Sequence, residues 1–324
     1  MKVQVSKVYL EFYRCLTPLH HGAGEGLGPV DRPLLRDSWT QEPYVQSSSI
    51  RGKTRLYAGN ENGLEYAFGP ARQSGQGTPN TKGEHGFLSF TDARVLLLPV
   101  ASRFGTTAFL TSRQALGRLG AYAAWAGRRD LAEQVKELLN FGLVSTLGEK
   151  ACGCYQPGSE CGSGTWLDKV LLVPGARSPS YFLEGLGAVP KSTDQEIGKL
   201  LYELAEQITA GLFPEGAENA AREWLRSRIL LAGDKLSELA LACATAVEPA
   251  TAVEGETGTA KDGTLRYTEY LPEGTVLVGL RFEEKHCNTT SFSIPSQRVL
   301  ALGAHSTGGK GLVRVETLGG NNGR

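Results

Sequence analysis

An aspartate in an N-terminal loop is the carboxylate of this sequence with the most interesting chemical setting. Asp31 lies between the Gly28-Pro29 pair and Pro33, in a stretch too rich in glycine and proline to form a helix or strand. A loop aspartate can accept a proton, orient a nucleophile or bind a divalent cation. Most loop aspartates only cap turns, so the local sequence leaves both interpretations of Asp31 open.

Two further segments have the composition of phosphate-binding sites. SSSIRGKTR begins a predicted helix with Ser48 or Ser49 as its N-cap, and it places Arg51 and Arg55 on one face near the N-terminal amides. LGAHSTGGKGLVRV holds four glycines and a lysine before a predicted strand. Glycine lets the backbone approach an anion closely. A solvated basic helix and an ordinary flexible turn are the alternative interpretations.

Three cysteines could hold a metal ion in a predicted loop over residues 148–164. Cys152, Cys154 and Cys161 form the pattern C-x-C-x6-C, which lacks a standard CxxC pair. Zinc needs a fourth ligand, and the candidates by sequence are Cys243 and His286, both far along the chain. Unrelated loop thiols are the alternative interpretation.

Charge and hydropathy limit the possible classes of function. The 324 residues include 34 basic and 34 acidic side chains, a balance that argues against a nonspecific nucleic-acid binder. Residues 1–60 nevertheless hold eight basic and five acidic side chains, whereas residues 191–256 hold six and twelve. A basic groove on one face is therefore compatible with protein contacts on another. With no run of about 18 apolar residues and no signal-peptide pattern, we expect a cytoplasmic protein with reduced cysteines.

The periodicity of the apolar residues predicts alternating strands and helices. Strands are expected at residues 3–15, 87–102, 166–174, 275–283 and 311–316. Helices are expected from Ser48 or Ser49 and at residues 111–140, 197–212, 220–231 and 295–300. Residues 61–86 are predicted to form an insertion, 247–272 a hairpin-like excursion, and 319–324 a frayed end. Strands at both ends with helices inserted between them predict an α+β, ferredoxin-like core.

Five of these segments together resemble one protein family. They are GAGEGLGPVDRPLLRD, SSSIRGKTR, LSFTDARVLLLPV with GTTAFLTS, EGETGTAKDGTLRYTEYLP and GGKGLVRV. They occur in the family's order, from about Tyr9 to Val315. The family is that of the RAMP backbone subunits of type III-B CRISPR effectors, the fourth subunit of the Cmr complex.

The resemblance implies one RAMP domain over residues 1–324, a modified ferredoxin-like (RRM-like) palm with an inserted helical region and a thumb β-hairpin. The palm would comprise residues 1–60, 87–110, 165–190 and 273–316. The helical insertions would cover 111–150 and 191–232, and the thumb 240–272.

By motif position, the resemblance assigns a catalytic role to Asp31. It implies RNA contacts for His20, Arg36, Ser49, Arg51, Lys53, Arg55, Ser306, Thr307, Gly308, Gly309 and Lys310. The thumb residues implied to displace a base are Thr257, Gly258, Thr259 and Leu265.

The implied function is an endoribonuclease subunit that binds CRISPR guide RNA, stacks with copies of itself in a helical filament beside other effector subunits, and cuts complementary target RNA at regular intervals. A divalent cation, magnesium, is the expected cofactor, with a structural zinc ion at Cys152, Cys154 and Cys161 as a further possibility. The alternative function is a non-catalytic, architectural RNA-binding subunit of a related type III effector.

Overall fold

The computed structural model describes residues 5–26, 28–59, 64–69, 86–103, 106–140, 147, 149–153, 180–192, 195–213, 219–255, 257–284 and 292–322. The strands in these ranges are β1 (Val5–Cys15), β2 (Tyr44–Val45), β3 (Leu88–Phe90), β4 (Ala93–Ser102), β5 (Thr106–Ser112), β6 (Ala151–Gly153), β7 (Ser180–Leu183), β8 (Gly187–Pro190), β9 (Ile229–Ala232), β10 (Ala246–Ala250), β11 (Arg266–Tyr270), β12 (Val276–Glu284), β13 (Gln297–Ala301) and β14 (Leu312–Asn322). The helices are α1 (Ser47–Ala58), α2 (Leu64–Phe68), α3 (Arg113–Trp125), α4 (Arg129–Asn140), α5 (Gln195–Leu212), α6 (Asn219–Arg226) and α7 (Asp234–Cys243).

One large, mostly antiparallel sheet organises the chain. Its order is β13-β14-β1-β12-β4-β5-β9-β6, with β2 and β7 also pairing with β4 and β3 with β12. Within this sheet, β5 and β9 form the parallel pair. Strand β1 lies between β14 and β12, so the first and last described strands are neighbours. This arrangement confirms the predicted α+β class.

The two faces of the sheet bury different sets of side chains. Because successive strand residues point to opposite faces, Leu10 and Phe12 pack against helices α3 to α6. Tyr13 and Cys15 belong to the second core, on the face that also buries Ile50 of α1 and Leu236 of α7. The second face also bears the N-terminal loop and the glycine-rich loop, and therefore it positions the candidate site.

Strands β10 and β11 form a separate antiparallel hairpin, paired from Ala246–Tyr270 to Ala250–Arg266. Beyond them, a further bridge joins Val253 to Ala260. The distal residues are exposed, whereas Thr268, Glu269 and Tyr270 at the base are buried. The hairpin therefore projects from the second face and is anchored by its base.

Several predicted elements differ from the structure. Residues 295–300, predicted as a helix, belong largely to strand β13, and the helix expected to reach Leu231 ends at Arg226 before strand β9. The predicted strand over 87–102 is two strands, and the helical stretch over 111–140 is two helices. The tail expected to fray is part of β14 as far as Asn322. Short apolar runs suit either a helix or a strand until long-range pairing selects one.

The start of helix α1 also differs from the prediction. Gln46, not Ser48 or Ser49, occupies the N-cap position, and its side chain makes no capping hydrogen bond. Instead the amide of Ser47 donates to Asp92 Oδ1 at 2.8 Å. The carboxylate of Asp92, between β3 and β4, therefore caps the start of α1, a role that the local sequence predicted for a serine side chain.

Of the predicted insertion over residues 61–86, the described part is essentially helix α2. The predicted strand over 166–174 lies outside the described residues.

Candidate nucleic-acid interface

Asp31 lies on the base of the projecting hairpin. Its Oδ2 atom accepts a hydrogen bond of 2.7 Å from the backbone amide of Tyr267. The backbone of Arg32 bonds to Tyr267 and Glu269 at 3.1 and 3.0 Å, forming a short parallel bridge with β11. Asp31 is exposed, and Oδ1 has no partner among the described residues. The loop therefore presents one carboxylate oxygen to solvent while the other holds the hairpin.

A buried carboxylate fixes the continuation of this loop. Glu269 of β11 accepts from the Leu34 amide at 2.8 Å, from Thr245 Oγ1 at 2.7 Å and from the Arg36 guanidinium. Burial by itself would raise the pKa of Glu269, but these hydrogen bonds and the charge of Arg36 hold that pKa below its usual value. Glu269 is therefore ionised, and Arg36 is committed to the protein at this point.

The histidines after β1 pack beneath the loop. His20 Nδ1 lies 2.7 Å from the carbonyl oxygen of Glu269, and because a carbonyl only accepts, Nδ1 carries the proton. The ring of His20 lies 5.7 Å from the rings of both Tyr270 and His305. His20 is buried, so it supports the interface from below.

The glycine-rich loop closes over these rings. Ser306–Gly308 form a 3₁₀ turn, and Ser306, Thr307, Gly308 and Gly309 are exposed. Lys310 Nζ lies 2.7 Å from both carboxylate oxygens of Glu248 on the hairpin and 4.8 Å from the Tyr270 ring centroid. This ion pair fastens the loop to the hairpin.

Gly303 is expected to tolerate no side chain, because it has φ +72 and an added Cβ would lie 2.1 Å from the His20 carbonyl oxygen. We expect Gly303→Ala to lower the free energy of unfolding by about 1–3 kcal/mol through backbone strain alone, with further loss from the contact. Gly308→Ala is the matched control, because no atom lies within 4 Å of its added Cβ. Thermal unfolding of both variants tests this; equal stabilities would contradict it.

Helix α1 contributes two of its predicted residues to an open cavity of about 400 Å³. Ser49 and Lys53 line it together with His21, Gly22 and Gly303. Arg51 and Arg55 instead donate to the carbonyls of Phe68 and Gly69, the latter at 2.8 Å. The helix thus directs its serine and lysine toward the glycine-rich loop and its arginines toward α2.

At the far end of the hairpin, the predicted base-displacing residues are all exposed. Thr257 and Thr259 bond side chain to side chain at 2.7 Å around Gly258, which has φ +68. Leu265 exposes 56% of its surface. The tip is therefore a closed polar turn with an apolar side chain beside it.

The cysteine pattern falls largely outside the described residues. Cys152 is buried in β6, where it pairs with Leu231, so the expected loop over 148–164 is wrong at Ala151–Gly153. Cys154, Cys161 and His286 lie outside the described residues, and Cys243 is exposed on α7. In the described ranges, no three histidine, cysteine or acidic side chains are grouped as metal ligands.

Comparison with known proteins identifies the family. The RAMP superfamily matches residues 12–314. The chain belongs to the RAMP superfamily. Among curated proteins it is 26% identical, over 95% of each chain, to the CRISPR system Cmr endoribonuclease Cmr4 of Pyrococcus furiosus. The resemblance drawn from the five motifs is confirmed.

Solved structures show the same fold. A chain of the type III-B Cmr-beta complex bound to cognate target RNA matches with a TM-score of 0.65 and 15% identity, covering 97% of this chain and 98% of that one. Oligomeric Cmr4 from Pyrococcus furiosus matches with a TM-score of 0.61 and 22% identity over 96% and 98%. In the described part of this RAMP chain, no helix has the length and apolarity needed to cross a membrane.

Four residues of this candidate interface were not singled out from the sequence. Tyr267, Glu269, Arg32 and His305 hold or adjoin the Asp31 loop, but their partners are far away in sequence. The adjacency of Arg32 to Asp31 was the one local signal. The positions implied by the family, from His20 to Lys310, lie within the matched range; their contacts with RNA stay predictions.

Proposed function

We propose that this RAMP chain is a backbone subunit of a type III-B (Cmr) CRISPR effector that binds guide RNA and cuts complementary target RNA. The observation that carries the proposal is the exposed, firmly held Asp31 carboxylate at the hairpin base, in a chain similar over 95% of its length to a Cmr endoribonuclease. Its fold likeness to a Cmr-beta complex chain bound to target RNA supports the same function.

In this proposal the large sheet is an RRM-like palm and the β10–β11 hairpin is the thumb. The guide follows the surface formed by Ser49, Lys53 and Ser306 to Lys310, with Arg51 and Arg55 farther along α1, while His20 and Arg36 support that surface from below. The Ser306 and Thr307 amides, which make no backbone hydrogen bond within the described residues, and the cation of Lys53 are groups that suit phosphate oxygens. The thumb tip at Thr257, Gly258, Thr259 and Leu265 displaces one base and bends the strand beside Asp31.

The chemistry follows from that bend. RNA carries a 2′-hydroxyl that can attack its own phosphate once the three reacting atoms are in line. The free Oδ1 of Asp31 is the group that accepts or orients the hydroxyl proton. The Tyr267 amide holds the other oxygen, so the carboxylate keeps its orientation when RNA binds.

A divalent cation fits this site only with help from the substrate. Magnesium is commonly held by one or two carboxylates plus substrate phosphates and water; Asp31 offers one free carboxylate oxygen, and the exposed Glu25 lies beside Gly26, whose amide bonds to the Asp31 carbonyl. A bound cation would neutralise charge on the phosphate. A zinc ion at Cys152, Cys154 and Cys161 stays a separate proposal with no bearing on cleavage.

We expect chelation of divalent cations to stop target cleavage without releasing guide RNA, because the guide contacts proposed above are made by protein groups. EDTA is added to the assembled complex, cleavage is followed on a denaturing gel, and bound RNA is measured by filter retention. Restoration by magnesium is the control. Undiminished cleavage in EDTA would remove the cation from the proposal.

The proposed partners are guide RNA, target RNA, further copies of this chain in a helical filament and the other effector subunits. The test of the function is cleavage of a complementary RNA by the reconstituted complex. Regularly spaced products support a filament of cutting subunits. Guide binding without any product would favour the architectural alternative.

A further inference from the structure

Arg32 follows Asp31 directly and has no acidic partner. Its Nη1 atom lies 3.4 Å from His305 Nε2, and no carboxylate oxygen lies within 4 Å of its guanidinium in the described ranges. Neighbouring cations are neutralised by carboxylates, in the pairs Arg36–Glu269, Arg94–Asp37 and Lys310–Glu248. An unpaired guanidinium at a nucleic-acid interface is available for a phosphate group.

The backbone of Arg32 is fixed more firmly than that of an ordinary loop residue. Its amide donates to the Tyr267 carbonyl and its carbonyl accepts from the Glu269 amide. These are the strand residues that also hold Asp31 and the rest of the loop. The carboxylate of Asp31 and the guanidinium of Arg32 are therefore attached to one rigid segment, as a preorganised site requires.

His305 holds the Arg32 side chain through a neutral ring. A guanidinium only donates, so Nε2 of His305 is the acceptor and carries no proton. Partial burial lowers the pKa of His305 below its ordinary value, and the electrostatic effects of His20, Arg32 and Lys310 lower it further. The groups that face this ring are His20, Arg32, Tyr270, Lys310 and, through Lys310, Glu248.

We propose that Arg32 is a second catalytic residue, which binds the non-bridging oxygens of the phosphate that Asp31 helps to cut, and that His305 is its positioning residue. This inference rests on the proposed RNA-cutting function. In the reaction, the 2′-oxygen forms a bond to phosphorus, and the bond from phosphorus to the 5′-oxygen breaks. The 2′-hydroxyl proton passes to Asp31, and the departing 5′-oxygen takes a proton from water.

The products are a 2′,3′-cyclic phosphate and a 5′-hydroxyl. Negative charge on the phosphate oxygens is greatest when phosphorus has five bonds, and a fixed guanidinium stabilises that state more than the starting phosphate. Arg32 keeps its own proton throughout, because its guanidinium stays charged. Its contribution is therefore to the rate of cutting more than to RNA affinity.

The test compares Arg32→Gln, Arg32→Lys and Arg129→Gln in the reconstituted complex. Arg129 is an exposed arginine at the start of α4, on the opposite face of the sheet. We expect Arg32→Gln to slow single-turnover cleavage about 10²- to 10³-fold, the loss typical of one transition-state donor, with target affinity changed about twofold. Arg32→Lys should restore part of the rate, and Arg129→Gln should match the unmodified protein.

The role of His305 is tested by pH. His305→Asn keeps an oxygen acceptor for Arg32 but cannot be protonated, whereas His305→Phe keeps a ring without an acceptor. Acidification that protonates His305 should release Arg32 and slow cleavage by the unmodified protein. The ratio of the cleavage rate of the unmodified protein to that of His305→Asn should therefore decrease as pH is lowered. Any contribution from Asp31 is common to both proteins and cancels in this ratio. His305→Phe should be slow at every pH.

The outcomes separate this inference from the proposed function. Asp31→Asn is measured in the same series, and thermal unfolding confirms that each variant is folded. A fully active Arg32→Gln beside an inactive Asp31→Asn would overturn the inference and leave the function standing. Absence of cleavage by the unmodified complex would overturn both. A pH ratio that stays constant would remove His305 from the inference.

Discussion

Replacing Asp31 with asparagine is expected to slow target-RNA cleavage by about 10²- to 10⁴-fold, the range that one proton-transferring group contributes. Asparagine keeps an oxygen that can accept from the Tyr267 amide, so the loop stays fastened to the hairpin. The charge and proton affinity of the carboxylate are lost. Guide RNA should stay bound, because its proposed contacts lie on α1 and the glycine-rich loop.

Comparison with Asp31→Ala separates anchoring from chemistry. Alanine removes both the acceptor for Tyr267 and the carboxylate, whereas asparagine removes only the charge. The measurement is the single-turnover rate on complementary RNA, with guide retention measured in parallel. Asp130→Ala removes an exposed aspartate at the start of α4 and serves as the charge control. An active Asp31→Asn beside an inactive Asp31→Ala would reduce Asp31 to an anchor.

The second large expected effect is a loss of stability when the buried Glu11 of the large sheet is replaced. Glu11 of β1 is fully buried and bonds to Arg281 of β12 at 3.1 Å and to Arg298 of β13 at 2.8 Å. The Tyr13 hydroxyl, on β1 itself, donates to the same carboxylate at 2.5 Å, and the Thr317 hydroxyl of β14 donates to it at 3.2 Å. One side chain therefore joins four strands through charged and polar contacts that water does not reach.

We expect Glu11→Gln to lower the free energy of unfolding by about 3–5 kcal/mol, because the buried Arg298 guanidinium loses its counter-charge and Arg281 keeps only its second partner, Glu283. Urea unfolding at neutral pH measures the change. Glu133→Gln, on the exposed face of α4, is the control and should stay within about 0.5 kcal/mol of the unmodified protein. A loss no larger than that of the control would show that the buried charges do not depend on Glu11.

Acidification provides a second measure of the same network. Burial alone would raise the pKa of Glu11, but Arg298, Arg281 and the Tyr13 hydroxyl outweigh it and hold that pKa below its ordinary value. The stabilisation is therefore complete above the unfolded-state pKa of about 4.3 and is lost as pH falls through the folded-state pKa. The stability gap between Glu11→Gln and the unmodified protein should accordingly narrow below about pH 4.

Local patterns were sufficient for the elements with long, regular periodicity. Strand β1 and helix α5 lie within about two residues of their predicted positions, because alternation and the 3.6-residue repeat persist over many residues there. Gln297–Ala301 was assigned the wrong type because its few apolar residues carry no clear period. Its pairing with β14 selects the strand.

The residues of the candidate site likewise fall into those that local sequence predicts and those that it does not. Asp31 and the glycine-rich loop could be found because both are contiguous motifs. Glu269 could not, since its three partners Leu34, Arg36 and Thr245 come from two other segments of the chain. Glu11 was also out of reach, because alternation along β1 places it opposite Leu10 and Phe12, where a solvated carboxylate is the ordinary expectation. Residues joined across the fold become visible only in three dimensions.

The position of β1 has a consequence for how the chain folds during synthesis. This strand leaves the ribosome before the other strands described above, yet its two neighbours are β12, from Val276, and β14, from Leu312. Both edges of an apolar strand therefore stay unpaired until β12 and β14 have been synthesised, and such distant pairings form slowly. During that interval β1 is a template for mispairing with other nascent chains, so yield in the cell depends on how quickly the C-terminal strands arrive.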